Sequence, residues 1–317
     1  MERRQFLGML LGSGLYYKRQ ISNHKTCNNK QEVMFTNSST HLIYGISLSM
    51  YSPYALYIND FLADSYYGGY SAFKNVRINP YVLKSGIYKF KIILYPPPSS
   101  KDGLLHPNDI QFTHFQVAYS DKNGNFGFIK QYKPKMEQPV PQLVIEDTFT
   151  VDLPYQLEGW EHSHVFAPKT AEDTATLTRQ LVAYYNTLRQ ELNNGEFDKF
   201  FSRYKQSDAD ESVYEYRTLQ SIHGEDEKFI NDRLKKEAIG NMVPIEDCEL
   251  HIFAQGRVLS LLRKATTNAY GQDNVNLKDG SVLIRVFKDE DGDVGISSIG
   301  VKVHMPAGSN QFEIIRK

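Results

Sequence analysis

The amino-acid sequence predicts an all-β sandwich domain followed by an α+β domain, in which helices pack on an antiparallel sheet. Three observations carry this. Residues 41–155 hold short segments of period two, broken by turn signals and without helical patterning. Apolar residues then recur at helical spacing across residues 170–240. Period two returns over residues 244–317. A chain of 317 residues suits two domains of ordinary size, here 41–155 and 170–317 with a hinge at 156–169.

Taken in order, Met1–Gln20 places Arg3 and Arg4 before a short apolar run, Phe6–Tyr17. That run is too short to span a bilayer, which takes about 20 residues. Its layout is that of a signal-like or membrane-proximal segment. Arg3-Arg4-Gln5-Phe6-Leu7 resembles the twin-arginine export signature, with Gly8 where a polar residue is usual and no small-residue cleavage site after it. The expectation is a periplasmic or membrane-associated protein, with this segment as the candidate tether and a cytoplasmic location as the alternative. Residues 21–40 are polar and read as a linker.

His41–Met50 reads as the first strand and Ala55–Ile58 as the second, closed by the turn pair Asn59-Asp60. A stretch rich in Tyr and Gly follows and reads as a loop. Asn79-Pro80 marks a boundary, because the residue before Pro avoids the α region. In Ile87–Tyr95, Tyr88, Phe90, Ile92 and Leu94 alternate with Lys89 and Lys91, so one face of that strand is buried. Pro96-Pro97-Pro98 stops it. Ile110–Tyr119, a turn at Asp121–Gly124, Phe126–Tyr132 and Leu143–Leu153 complete the set.

In the second domain Thr170 with Asp173 has the form of a helix start. Leu177, Leu181, Tyr184, Leu188 and Leu192 make one stripe, and Asn193-Asn194-Gly195 ends it. Phe197, Phe200, Phe201 and Tyr204 stripe a second short helix. Ser207–Ile222 and Glu225–Ala238 read as two more, parted by His223-Gly224. Cys248, Leu250 and Ile252 then alternate with Glu249, His251 and Phe253. Val258–Leu262, Val282–Phe287, Val294–Val303 and Phe312–Ile315 read as the remaining strands, with Asp291-Gly292 as a type I′ hairpin turn.

The chain has the 41% hydrophobic and 23% charged residues of a globular protein, and a net charge of −1 provides no basic field for nucleic acid. No serine nucleophile elbow, phosphate loop, dinucleotide fingerprint or HExxH motif is present, so no catalytic residue, metal site or cofactor is expected. His162 and His164 could face one way on a strand, but no third ligand stands near them in sequence, and a loop-borne pair is the expected reading. Asp289–Asp293 is dense in carboxylates, yet its Gly comes two positions early for a calcium loop and no Glu follows at the twelfth. It reads as a charged hairpin tip. Glu249 and His251 would share one face of a strand, as an acid/base pair or as a charged strand edge. Cys27 and Cys248 read as structural thiols, with a disulfide between them open.

What remains is Tyr66-Tyr67-Gly68-Gly69-Tyr70, with Phe73 close behind. Tyr supplies large contact area at small conformational cost, and Gly lets a loop conform. Tyr66, Tyr67, Tyr70 and Phe73 are therefore the expected partner-binding residues, against the plainer reading of a loop that covers the sheets.

A family resemblance rests on Tyr57-Ile58-Asn59, Asn79-Pro80 and Gly86–Leu94, then Tyr184-Tyr185-Asn186 through Phe200-Phe201, Gly256-Arg257-Val258 and the ending Ile314-Ile315-Arg316. On these segments the chain resembles immunity proteins encoded beside antibacterial effectors of the type VI secretion system, in particular those paired with phospholipase effectors. The start of the second domain is also similar to the NTF2-like fold. The resemblance implies an exported, non-catalytic protein that binds a toxic effector enzyme and neutralises it. The alternatives are a carbohydrate- or envelope-binding module, with the tyrosines stacked on sugar rings, and an NTF2-like enzyme with Glu249 and His251 lining its cavity.

Overall fold

A computed structural model describes residues 41–68, 72–121, 123–264 and 277–316, all within the compact unit Asn37–Lys317. The expectations for Met1–Gln20, for the 21–40 linker, for Cys27 and for Tyr70 fall outside the described residues. Among the described residues the fold is mixed, with antiparallel sheets and helices. Among the described residues no helix is long and apolar enough to cross a membrane.

Eight strands come first: β1 (Ile43–Met50), β2 (Tyr54–Ile58), β3 (Phe61–Tyr66), β4 (Ala72–Arg77), β5 (Gly86–Leu94), β6 (His114–Ser120), β7 (Phe126–Tyr132) and β8 (Leu143–Val151). They form two four-stranded sheets, β4-β1-β6-β7 and β3-β2-β5-β8. Tyr44, Ile46, Leu48, Phe115 and Val117 from the first share one buried cluster with Leu56, Ile58, Phe90, Ile92 and Leu94 from the second. Each such side chain stabilises the fold by about 1.5–3 kcal/mol relative to exposure. In β5 the alternation holds as expected, with Phe90, Ile92 and Leu94 buried and Lys89 exposed.

The stretch after Asn59-Asp60 is not one long loop, as expected, but two strands that join different sheets. Asn59 takes the left-handed φ of 54° that a two-residue turn requires, and β3 pairs back on β2. The chain then crosses, and β4 pairs with β1. Asp64 and Lys74 hid these strands by breaking the apolar alternation. They are partners, 2.7 Å apart, and the Tyr54 hydroxyl also donates to Asp64 at 2.5 Å.

The helical part follows the sequence closely at its start. Helix α1 (Ala171–Asn193) is capped by Thr170, whose Oγ accepts from the Asp173 N–H at 3.0 Å while the Asp173 carboxylate accepts from the Thr170 N–H. Its buried stripe is Leu177, Leu181, Tyr185, Leu188 and Leu192, with Tyr184 half-buried at the margin. Gly195, at φ 74°, ends it in a left-handed turn. Helix α2 (Phe197–Ser202) follows, shorter than expected, since Tyr204 of the expected stripe lies past its end and precedes the next helix.

The next break is displaced. Helix α3 (Lys205–Tyr214) is followed by Tyr216, which has a φ of 54°, and Thr218 caps α4 (Leu219–Phe229). His223 and Gly224 lie inside α4, and the helix runs on through a π turn at Ile230–Leu234 into Lys235–Glu237. A local cap at Thr218 and the left-handed Tyr216 outweigh the weak preference of Gly against helix. A methyl group added at Gly224 would meet nothing within 4 Å. Gly224→Ala is therefore expected to stabilise the protein by about 0.5–1 kcal/mol, read as a raised urea midpoint with an unchanged slope.

The last sheet has the order β14-β13-β10-β9, from β9 (Cys248–Phe253), β10 (Val258–Arg263), β13 (Lys302–His304) and β14 (Glu313–Arg316). Beside it β11 (Ile284–Lys288) and β12 (Val294–Ser298) form a separate hairpin. The expected strand Val294–Val303 is thus two strands in two sheets. The hairpin tip is a five-residue loop in which the Asp289 carboxylate accepts from the N–H of Asp291 and of Asp293. Of Asp291 and Gly292 only the latter has a positive φ, so the turn is not type I′.

This sheet buries both faces. Leu250, Ile252, Leu259, Leu261, Val303 and Ile314 pack on the helices. On the other face Phe253, Val258, Leu262 and Ile315 meet Phe61, Leu83, Leu157, Trp160 and Tyr214 in a further cluster. Phe61 of β3 stacks on Phe253 of β9 at 5.5 Å, which makes this cluster the seam between the β-rich half and the helix-and-sheet half.

Candidate functional site

The residues singled out in the sequence go to different places. Tyr66 ends β3, half-buried, with its ring 6.4 Å from that of Tyr54. Tyr67 turns to the seam. Its phenol donates to the Asp279 carboxylate, its ring lies 5.7 Å from that of Tyr95, and the Lys278 ammonium stands 4.5 Å from its centre. Burial, then the bond to Asp279, hold this phenol far above the ordinary tyrosine range. Tyr57 beside it is pushed up to about 12, first by burial and then by Tyr95 and Asp279. Phe73, on the edge strand β4, points out and is 64% exposed.

Phe73 is one of a group. In an antiparallel ladder, residues paired across strands share a face. Phe73 pairs with Ser49 and Ser49 with His114; Asn75 pairs with Ser47 and Ser47 with Gln116. At the far end Gly45 pairs with Ala118, and Ala118 with Phe128. The outer face of sheet β4-β1-β6-β7 therefore has a floor of small and polar side chains with rings at its borders. At one end Tyr51 lies 5.8 Å from Phe73 and 5.7 Å from Phe112, and these two neighbours are themselves highly exposed. At the other end Phe126 and Phe128, both more than half exposed, pack edge to face at 4.8 Å. Two such groups of exposed rings are costly to leave in water, and they fit contact with another molecule better than they fit chemistry.

The second locus is polar. Glu249 and His251 share a face of the edge strand β9, with Glu249 Oε1 2.9 Å from His251 Nε2. Asp279 comes up beside them from the turn before β11, and one ligand atom from each of the three lies within 4.8 Å of the others. Tyr67 thus links the tyrosine loop to the acidic strand edge. Cys248, next along β9, is half-buried, and burial pushes its thiol up.

His162 and His164 are exposed, and the His164 ring packs on Phe166 at 4.7 Å, as a loop-borne pair would. A shallow groove of about 580 Å³ lies between residues 164–169 and the first turns of α1, and a smaller one of about 280 Å³ is lined by Ser100, Asp102 and His106. Neither holds Glu249 or His251.

Sequence reading missed Tyr51, Phe112, Phe126, Phe128 and Asp279. Tyr51 lies just outside β1, and Phe112 falls in the expected strand Ile110–Tyr119, which in fact begins only at His114 after a 3-10 turn at Pro107–Ile110. Asp279 sits far along the chain from both of its neighbours. For Phe126 and Phe128 a signal existed, since Phe-Gly-Phe in the expected strand Phe126–Tyr132 sends both rings to one side. No protein-family model, curated protein or solved structure matches the chain.

Proposed function

We propose that this protein acts by binding and not by transforming a substrate, and that its partner is a protein. The observation that carries the reading is the outer face of sheet β4-β1-β6-β7, with Tyr51, Phe73 and Phe112 at one end and Phe126 and Phe128 at the other. Exposed aromatic residues at this density are the typical anchors of protein interfaces. In the concrete form suggested by the family resemblance, the partner is a secreted antibacterial effector of the type VI system, a phospholipase in that case, which the protein neutralises by direct complex formation. The export-like Met1–Gln20 supports a periplasmic or membrane-associated location. On the same reading the two β-rich sheets are a sandwich that presents the face, and the helices with the last sheet are an α+β, NTF2-like support.

The polar floor between the rings favours one second reading. Ser47, Ser49, Asn75, His114 and Gln116 could hydrogen-bond a glycan of the cell envelope while the rings stack on its sugars.

A tight protein complex buries about 1,200–2,000 Å² in total, with a few anchors dominant. Phe73→Ala and Phe112→Ala are each expected to weaken partner binding by about 2 kcal/mol, close to thirtyfold, with unchanged circular dichroism. The measurement is affinity capture with the full chain, followed by titration of the purified partner. Capture of peptidoglycan, with no enzyme recovered, would move the assignment to the glycan. Equal affinity for the parent and both variants would remove this face from the interaction.

A further inference from the structure

We propose that Glu249, His251 and Asp279 together bind a first-row divalent metal ion of the Zn2+ type. The donor set is mixed, one imidazole and two carboxylates, and such sets suit Zn2+, Co2+ and their neighbours. The donor atoms already lie within 4.8 Å of one another. Ligands of one tetrahedral ion at about 2.0–2.2 Å stand about 3.4 Å apart, so the widest separation has to close by about an ångström and the Glu249–His251 pair, now 2.9 Å apart, has to open slightly. Glu249 is exposed and His251 only half-buried, so both can make that movement.

The framework behind the donors is fixed. Period two on β9 brings Glu249 and His251 to one face, and β9 is held along its length by β10. The His251 ring stacks on Phe253 at 5.9 Å, which limits its swing. Asp279 is held by its own N–H, which donates to the Arg263 carbonyl at 3.0 Å, and by the phenol of Tyr67. A carboxylate can keep that phenol on one oxygen and take a cation on the other. Outer hydrogen bonds of this kind commonly orient metal ligands. Two carboxylates so close also repel each other, and a shared cation relieves the repulsion.

A metal here would tie the edge strand β9 to the Lys278–Asp279 turn and, through Tyr67, to the β-rich half. It would act as a staple across the seam. The proposal is independent of the partner reading above.

The test uses the full chain stripped with a chelator, then titrated with Zn2+ by calorimetry and with Co2+ by visible absorption. One ion per chain is expected, with a dissociation constant in the micromolar range. His251→Ala and Asp279→Asn should each weaken uptake by at least about tenfold, as loss of a ligand or its support does. Glu249→Gln at the exposed position is the variant least able to disturb folding, and it should also weaken uptake. The absence of saturable uptake would overturn the site. So would uptake that all three variants leave unchanged, because the ion would then be held elsewhere.

Discussion

Asp210→Ala is expected to destabilise the protein by about 3–5 kcal/mol, well above an ordinary surface change. Asp210 lies on α3 with its side chain 5% exposed, and Arg316 at the end of β14 is 2% exposed. The Arg316 Nη1 donates to Asp210 Oδ2 at 2.6 Å, and Gln206 donates to the other oxygen. The guanidinium lies 4.8 Å over the ring of Trp160 and 5.4 Å over that of Tyr214, and its Nε donates to the Pro80 carbonyl. One residue thus joins α3, β14 and the β-rich half. Removing the carboxylate leaves a charge buried with no counter-ion, and the desolvation cost already spent is no longer offset. A double variant, Asp210→Leu with Arg316→Met, should recover most of the loss, since it removes both charges and fills the space. Urea unfolding of the parent, single and double variants reads the difference. A single variant within 1 kcal/mol of the parent would show that the pair does not hold the seam.

Why the seam was invisible in the sequence follows from the same residues. Ile314-Ile315-Arg316 reads as a strand end, and an Arg at the end of a chain reads as solvent-exposed. Nothing local says that it crosses to Pro80, 236 positions away. The same holds for Phe61, which looks like a surface residue after a turn, yet stacks on Phe253 of β9. Local patterns did identify what they physically determine. The box at Thr170 and Asp173, the leucine stripe of α1 and the alternation in β5 are all set within one or two turns or strands. β3 and β4 were lost because cross-strand charges, Asp64 with Lys74, satisfied each other where a local reading expects apolar alternation. Of the expected contact residues, the sequence marked Phe73 by its neighbourhood alone. It could not mark Tyr51 and Phe112, because strand register brings them to Phe73. Tyr67 was chosen as a contact residue, and the fold engages it with Asp279 at the seam.

The seam also carries a titratable group, and acid should loosen it. His304 of β13 is buried, with Nδ1 2.7 Å from the Ser163 hydroxyl and Nε2 without a hydrogen-bond partner among the described residues. Burial, with the Arg316 charge acting in the same direction and Asp210 opposing, pushes its pKa down to about 4. An unfolded histidine titrates near 6.5, so between those values the unfolded chain binds the extra proton. Stability must therefore rise with pH across that window. The contribution is fully present above pH 6.5, falls as the pH drops through 6, 5 and 4, and changes little below that. A difference of about 2.5 pKa units corresponds to about 3 kcal/mol. Ser163 sits in the segment that joins the two halves, so protonation acts where the chain passes between them. His304→Leu removes the titrating group and should flatten the curve by that amount between pH 7 and pH 4, though it lowers stability at pH 7 by leaving the Ser163 hydroxyl unpaired. Comparing the two proteins cancels the carboxylates that both retain. If parent and variant lose the same stability between pH 7 and pH 4, His304 is not held neutral by the fold, and the acid sensitivity of the seam has another source.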